Sequence, residues 1–313
     1  MQIGILGATS EIAKDMILSL SLNDSHTLDL FARRPDIVKS WLMSAGLHER
    51  YAAYAFDEFH EKHNYEVIVN FVGAGNPVKT IALGSSIFDI TWQYDSLALD
   101  YITKHPDCKY IFLSSGAVYG NNFDQPVNEK SNAVIPLNNF QQQDWYSMAK
   151  LHAECRHRAL QDLSIVDIRI FNYFSHTQDI SSRFLITDIL RAIKSNEVFV
   201  TSSENIVRDY LHPSDFLKLF NAIINGPRVN MALDAYSKAP IDKMTLLKEL
   251  SDRFSLKFEL KNIETGVNAT GSKLNYFSKS RIAQKLGYEP TYTSVDCIIE
   301  EVEKTNFNFS ICN

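Results

Sequence analysis

The residues best suited to chemistry are Tyr146 and Lys150, four positions apart in Tyr146-Ser147-Met148-Ala149-Lys150 at the start of a helical stretch. That spacing places a phenol and an ammonium on one helix face about one turn apart. Alone, such a pair reads as an ordinary surface pair. The balance shifts with Phe112-Leu113-Ser114-Ser115-Gly116-Ala117-Val118-Tyr119-Gly120, an apolar run ending in a hydroxyl-rich turn. Together the two segments supply a hydroxyl donor, a phenol and an ammonium. Ser114 is the neighbouring alternative to Ser115, and its expected fate is a strand-end hydroxyl bonded to backbone.

A second group lies near the N-terminus. Gly7-Ala8-Thr9-Ser10-Glu11-Ile12-Ala13 follows the first apolar run, where a nucleotide-binding fold sets a glycine-rich turn against a helix N-terminus. Of the usual three glycines one remains. Gly7 can form the turn, Ser10 stays small where backbone approaches a pyrophosphate, and Ala13 permits close packing. Free N–H groups and the helix dipole favour an anion there, with Glu11 pointing outward. An ordinary strand–helix turn fits the segment equally well. The second apolar run ends in Ala32-Arg33-Arg34; a carboxylate at that point binds the ribose of NAD, whereas arginine accommodates the 2′-phosphate of NADP. The arginines favour NADP(H), with NAD(H) as the alternative and Asp29 as its ribose acid if the strand stops early. Asp57, after the third run, either accepts from an adenine amino group or opens a short helix.

The elements that must position these residues alternate short apolar runs with amphipathic stretches, the pattern of strand, crossover helix and parallel strand. Strands are predicted at 3–6, 27–31, 52–55, 67–71, 110–113 and 165–170, and helices at 11–22, 36–43, 86–103 and 145–160. The expected class is α/β, a doubly wound parallel Rossmann sheet. Its ligands bind beyond the carboxyl ends of the strands, so loops beginning at Gly7, Ala32, Asp57, Gly73 and Ser114 should line one crevice. After Asn172 the rhythm changes to helices at 182–194, 214–225, 243–254, 280–286 and 295–304, joined by short strands with Pro and Gly punctuation. This reads as a smaller, mixed α/β C-terminal substrate lobe. The expected division is a dinucleotide-binding domain over 1–171, completed by about 209–235, with 172–208 and 236–313 forming the substrate lobe. No repeat or flexible linker separates the halves, so direct packing with a ligand cleft between them is expected.

Composition narrows the classes. The chain has 313 residues, 45% of them hydrophobic, enough for one large core or two modest ones. With 31 basic against 37 acidic side chains the formal charge is −6, which disfavours nucleic acid as a partner. Cys108, Cys155, Cys297 and Cys312 show no zinc-site or disulfide spacing, so no metal is expected and a reducing cytoplasm fits. The opening apolar run is too brief for a signal-peptide core, and no stretch approaches a membrane span. Neither export by that route nor a helical anchor is expected.

With these pieces in place, the chain resembles the extended short-chain dehydrogenase/reductase family, in the NAD-dependent epimerase/dehydratase branch that acts on nucleotide-sugars. The resemblance covers nearly the whole sequence. It rests on the Gly7 turn, Ser115-Gly116-Ala117-Val118-Tyr119-Gly120, Tyr146-(x)3-Lys150, Arg169-Ile170-Phe171-Asn172, Arg208-Asp209-Tyr210-Leu211-His212-Pro213-Ser214-Asp215, and Ser278-Lys279 followed by Leu286-Gly287-Tyr288-Glu289-Pro290. It implies that Tyr146 is the catalytic acid/base, Lys150 its electrostatic partner and nicotinamide-ribose ligand, and Ser115 the donor to the reacting oxygen. A phenol working at neutral pH needs a downward shift of about three units, or about 4 kcal/mol, which an ammonium and an oxidised nicotinamide can supply together. The resemblance also implies cofactor contacts from Gly7, Thr9, Ser10, Ile12, Arg33, Arg34, Asp57, Gly73, Tyr146 and Lys150. Substrate contacts are implied for Ser115, Asn172 and Arg208, the arginine suiting a diphosphate through its planar fork. Without the flanking Tyr-Leu-His-Pro-Ser-Asp run, a salt bridge to Asp209 or another exposed acid would be the plainer reading of Arg208; His212 and Asp215 read as structural.

Departures from the family pattern refine the expectation. Relatives that eliminate water carry an acidic pair just after the catalytic hydroxyl residue, where this chain has Gly116-Ala117, which disfavours a 4,6-dehydratase. An arginine-proline-glycine-aspartate run is replaced by Thr270-Gly271-Ser272-Lys273-Leu274-Asn275; either Lys273 replaces the lost cation or the nucleotide contact is absent. The loop Gly73-Ala74-Gly75-Asn76-Pro77-Val78-Lys79 is also unusual and has no assigned role. The expected protein is a cytoplasmic NADP(H)-dependent reductase of a nucleotide-activated keto-deoxysugar, serving carbohydrate biosynthesis. An NAD-dependent epimerase would use the same three residues. A non-catalytic dinucleotide sensor is the third reading, and the intact Tyr146/Lys150/Ser115 set argues against it. The resemblance suggests a homodimer through the long helix before the fifth strand and the Tyr146 helix. Trp92, Tyr94, Leu97 and Leu99 are available for such a contact or, equally, for the core.

Overall fold

The computed structural model describes residues 1–22, 25–61, 64–73, 77–261 and 273–305. In chain order the first half forms β1 (Gln2–Leu6), α1 (Glu11–Ser21), β2 (Thr27–Phe31), α2 (Pro35–Ser44), β3 (Ala52–Tyr54), β4 (Val67–Asn70), α3 (Pro77–Leu83), α4 (Ser86–Lys104), β5 (Lys109–Ser115), α5 (Gln142–Ala159), β6 (Ile165–Ile170) and β7 (Asn172–Tyr173). The second half adds α6 (Leu185–Ser195), β8 (Val198–Ser202), β9 (Val207–Arg208), β10 (Tyr210–Leu211), α7 (Pro213–Asn225), β11 (Asn230–Asp234), β12 (Ile241–Asp242), α8 (Lys243–Phe254), β13 (Lys257–Lys261), β14 (Asn275–Tyr276) and α9 (Ser294–Lys304).

Strands covered on both faces carry near-continuous apolar runs, and those runs here pair in parallel. Seven of them make one sheet in the order β11-β6-β5-β4-β1-β2-β3, with every pair parallel. The winding reverses between β4 and β1, so the ligand crevice opens there, beyond the carboxyl ends. The doubly wound α/β sheet is as expected, with two local differences. Strand β5 runs on to Ser115, which pairs with Ile170 and so is held by the sheet itself. The helix expected over 280–286 is a short 3-10 turn, Ile282–Leu286, stopped by Gly287 at φ +85°; one helical turn between Ser280 and a left-handed glycine leaves no room for more.

The core lies in layers. One face of the sheet packs Ile5, Leu30 and Val69 against α1 and α7, and the other packs Leu6, Ile68 and Phe112 against α4 and α5. A separate cluster joins α6, α8 and α9 through Ile189, Leu247 and Ile298. Buried charge ties the second layer together. His157 of α5 has no exposure; its Nδ1 lies 2.6 Å from Asp167 of β6 and its Nε2 lies 2.7 Å from Asp95 of α4. Arg156 and Arg158 donate to the same two carboxylates at 2.8 Å.

Burial pushes the His157 ring down, but Asp167 and Asp95 outweigh it and hold the pKa up at about 9, against 6.5 for a free ring. A raised histidine stabilises fully below its unfolded pKa and loses that contribution as pH rises through the folded one. Urea unfolding should therefore show stability falling between pH 6.5 and about 9. A His157→Gln variant, leaving two buried acids short of a cation, should be weaker by about 3 kcal/mol at the lower pH and lack that part of the slope. A parallel pH profile in both proteins would refute the charged-histidine assignment.

Candidate active site

The carboxyl end of β5 delivers Ser115, and α5 brings Tyr146 and Lys150 over it. The start of α5 is locked in place. Gln141 N–H donates to Asp144 Oδ2 at 2.9 Å in a capping box, and Asn121 Nδ2 donates to Asp144 Oδ1 at 2.6 Å. Lys150 is only 3% exposed. Its ammonium donates to Leu113 O at 2.7 Å and Val72 O at 3.3 Å and lies 4.2 Å from the Phe112 ring centroid. A Cβ on residue 73 would stand 3.2 Å from Lys150 Nζ, so Gly73 makes room for the ammonium. Burial pushes Lys150 down to about 8 while Asp95, Asp167 and Glu154 act the other way. Tyr146 is half-buried; burial raises its phenol and the Ser115 hydroxyl opposes that rise. Ser115 Oγ accepts from Ala117 N–H at 3.2 Å and lies 3.4 Å from the Tyr276 hydroxyl. The structure thus brings Ser115 and Tyr146 together and holds the Lys150 ammonium one turn further along α5, against Leu113 O and Val72 O. A phenol and a hydroxyl at one point can move a proton to or from an oxygen and stabilise charge on it.

Ser114 differs from expectation. Its hydroxyl donates to Glu154 Oε1 at 2.5 Å rather than to backbone, because α5 sets a carboxylate one turn beyond Lys150 against the strand. Arg169 holds that carboxylate from the other side, Nε donating at 3.0 and 3.1 Å.

At the carboxyl end of β1, Gly7 has φ +82°, and a Cβ there would lie 2.9 Å from Val72 N. The turn therefore needs glycine at that position. Ser10 is extended and makes no side-chain cap, and the positive end of the α1 dipole at this turn favours an anion. Thr9 is exposed and Ile12 half-buried beside this turn. A dinucleotide pyrophosphate fits these features, and the Gly7 turn lies against Val72, whose carbonyl accepts from Lys150. Arg33 and Arg34 are exposed directly after β2. Asp29 is not available as a ribose acid: it is 3% exposed, and its Oδ2 accepts from Gln2 Nε2 and Tyr65 OH, each at 3.0 Å. Strand β2 continues past it to Phe31, which buries it within the strand. Asp57 is exposed in the first turn of a 3-10 helix, Phe56–Glu61.

On the substrate side proposed from the sequence, Asn172 lies on β7, which pairs with β10, and Arg208 ends β9, two residues before β10. Asn172 Nδ2 donates to Asp209 O at 3.1 Å, and Arg208 NH1 donates to Val207 O at 2.8 Å and Lys273 O at 2.7 Å. Asp209 does not pair with Arg208; its carboxylate accepts from Ser237 N and Ser294 Oγ, both at 3.1 Å. Lys273 is 2% exposed, its Nζ 5.0 Å from the Phe123 ring centroid and 4.6 Å from that of Tyr276. Burial, then the charge of Arg208, pushes Lys273 down to about 7, with Asp144 opposing. Among the described residues neither cation has a carboxylate within ion-pair distance, whereas buried charges normally carry one. The pair is suited to a ligand that brings its own negative charge. Residues 74–76 of the unusual loop, Thr270, Gly271, Ser272 and Cys312 lie outside the described residues.

Sequence reasoning missed Tyr276 and Glu154. Tyr276 is 161 positions from Ser115 and its neighbours carry no spacing that ties it to the catalytic motifs; Glu154 at i+4 from Lys150 was visible on the helix face and had no partner to recommend it. His212, Glu300 and Glu301 offer ligand atoms within 4.8 Å of one another, but the group is unsuited to a metal. Ser214 N–H donates to His212 Nδ1 at 3.0 Å, which puts the ring proton on Nε2 facing Glu301, and Lys304 already bonds both glutamates at 2.7 Å. His212 caps α7 instead. Asp215 accepts from Thr291 N and Tyr292 N, each at 2.9 Å, and so holds the C-terminal segment.

Residues 5–236 match the NAD dependent epimerase/dehydratase family, and the chain belongs to that family of enzymes. No curated protein matches by sequence. Among solved structures the chain is similar to a dTDP-glucose 4,6-dehydratase from Bacillus anthracis in complex with NAD, at 17% identity over 97% of this chain and 96% of that one, TM-score 0.77. It is also similar to a mutant UDP-glucuronic acid 4-epimerase from Bacillus cereus with NAD and UDP-4-deoxy-4-fluoro-glucuronic acid, at 16% identity over 97% and 98%, TM-score 0.78. A UDP-glucose 4-epimerase from Stenotrophomonas maltophila, with NAD and formylated UDP-arabinopyranose, matches at 16% identity over 97% of each chain, TM-score 0.78. These likenesses establish the fold, and the family establishes dependence on a nicotinamide dinucleotide.

The cation pair predicts a pH effect. Lys273 binds an anion only when protonated, so affinity for inorganic pyrophosphate should fall as pH rises through about 7, by up to about tenfold per unit. Calorimetric titration should show the fall abolished in Lys273→Arg, and binding weak at every pH in Lys273→Met. A pH-independent wild type would exclude Lys273 from the site.

Proposed function

We propose that this chain is an NADPH-dependent reductase of a keto group on a nucleotide-activated deoxysugar. The observation that carries the cofactor choice is the end of β2. Asp29 is consumed by Gln2 and Tyr65, and Arg33 and Arg34 follow with exposed side chains. A 2′-phosphate is what that pairing suits, through the planar guanidinium fork.

A bound nicotinamide dinucleotide supplies the hydride. The chain's own residues do the rest. The Tyr146 hydroxyl gives its proton to the carbonyl oxygen, and Ser115 donates a hydrogen bond to the same oxygen as negative charge grows on it. Lys150, held by Leu113 O and Val72 O, lends positive potential behind them. Arg208, Asn172 and Lys273 bind the diphosphate end. Elimination of water is disfavoured because an acid at position 116 has no room: even a Cβ there would lie 2.5 Å from the Phe171 ring. Epimerisation is the second reading, favoured by the NAD in the solved neighbours' complexes. A sensor role is disfavoured by the convergence of Ser115, Tyr146 and Lys150.

The reading extends to a cytoplasmic homodimer in carbohydrate biosynthesis. Trp92 is 55% exposed on α4, with Arg156 of α5 6.0 Å from its ring, and offers an apolar surface to a partner, whereas Leu97 is half-buried and packs against the core. Tyr94 and Leu99 are buried in the core.

Two measurements test the proposal. Fluorescence titration should show NADPH bound more tightly than NADH, and Arg33→Ala/Arg34→Ala should cost NADPH about 10- to 100-fold in affinity with little effect on NADH. Equal losses, or purification with stoichiometric NAD, would overturn the reductase in favour of the epimerase. In turnover assays Tyr146→Phe should lower kcat by about 10²–10⁴-fold while dinucleotide affinity stays within about twofold. Undiminished turnover would remove Tyr146 from catalysis.

A further inference from the structure

Ser115 has one proton to give, and where it goes depends on what else bonds its oxygen. A serine hydroxyl carries one donor and two acceptor sites. One acceptor site is taken by Ala117 N–H at 3.2 Å. A second neighbour, besides Tyr146, is Tyr276 OH at 3.4 Å, a contact in which either oxygen can be the donor. If Ser115 donates to Tyr276, its proton is spent and no hydrogen bond remains for a substrate. If Tyr276 donates, both acceptor sites of Ser115 are filled and its proton is directed to the remaining side, where Tyr146 stands.

The chemistry of the two hydroxyls favours the second arrangement. A phenol is more acidic than an aliphatic alcohol, so across the 3.4 Å contact the Tyr276 hydroxyl is the better donor and Ser115 Oγ the better acceptor. Burial keeps the phenol neutral by raising its pKa, with Ser115 and Ala117 only partly opposing. The ring has little freedom. Phe123 meets it edge-on at 4.8 Å and Phe171 lies 5.1 Å away. Lys273 and Arg208 sit over it at 4.6 and 5.9 Å. Strand β14, which carries it, pairs with β9 and is tied to the loop after β5 by Asn275 N–H donating to Phe123 O at 2.9 Å. A hydroxyl on so constrained a ring is an oriented donor. Simple packing would be served equally by phenylalanine.

We propose that Tyr276 is a positioning residue, its phenol donating to Ser115 Oγ and thereby aiming the Ser115 proton at the reacting oxygen beside Tyr146. The inference rests on the donor role of Ser115 proposed above. It also couples the two ends of the site, since one side chain meets both the hydroxyl centre and the cation pair.

The test uses the full chain with Tyr276→Phe, Ser115→Ala and the double variant. Turnover is followed with NADPH and a nucleotide-linked 4-keto-6-deoxyglucose, and with UDP-glucose. Tyr276→Phe, which keeps the ring and its packing, should lower kcat about 10- to 100-fold with KM within about twofold. In the Ser115→Ala background the same change should cost almost nothing, because its target is gone. A Tyr276→Phe enzyme as fast as wild type, beside a slow Ser115→Ala enzyme, overturns the proposal alone. A fast Ser115→Ala enzyme overturns the donor role of Ser115 and the positioning role with it. Urea unfolding of the same four proteins reads the hydrogen bond without any substrate: a smaller midpoint shift for the second substitution once the first is made supports it, and strictly additive shifts refute it.

Discussion

The site depends on one buried ammonium. Lys150 Nζ bridges the ends of two adjacent strands, at Leu113 O in β5 and at Val72 O just past β4. That bridge sets the height of α5 over the sheet, and with it the position of Tyr146 above Ser115. The bridge costs desolvation, visible in the lowered pKa of about 8. It persists because Asp95, Asp167 and Glu154 surround it with negative potential. Those acids are in turn held by His157, Arg156, Arg158 and Arg169. The charged layer behind the helix therefore serves two ends at once, packing α5 against its neighbours and keeping a cation where water would otherwise be preferred. Glycine at position 73 belongs to the same constraint, since any side chain would press on the ammonium.

The crevice is asymmetric in charge. Toward the dinucleotide end the positive groups are Arg33 and Arg34, on the surface, with backbone N–H groups at the start of α1. Toward the substrate end Arg208 and Lys273 are drawn inward against the ring of Tyr276. Surface cations steer and discriminate at modest energy, whereas buried ones bind strongly and shift pKa. A chain of net charge −6 thus presents a cationic interior to its ligands while its excess acid lies elsewhere.

How much of this was legible in the sequence follows the length scale of each interaction. Tyr146 and Lys150 are one helical turn apart, and Gly7 closes a turn between a strand and the next helix, so their roles are encoded within a few residues. The parallel sheet was legible for the same reason: each strand is a short apolar run flanked by its crossover. Ser114 was misread, Tyr276 was missed and the alternative for Asp29 stayed open because their partners, Glu154, Ser115 and Tyr65, are tens to more than a hundred residues away.

Local spacing was therefore enough to determine the fold class and to single out Ser115, Tyr146, Lys150 and the arginines after β2 as candidates, since dihedral periodicity and turn chemistry act over a turn or a strand. Only the tertiary structure could decide which polar groups were already spent and which remained free. Asp29 is consumed by Tyr65, and Arg208 is left without Asp209. Hydrogen-bond capacity is used up by whatever the fold places nearby, and that accounting closes only when the whole chain is packed.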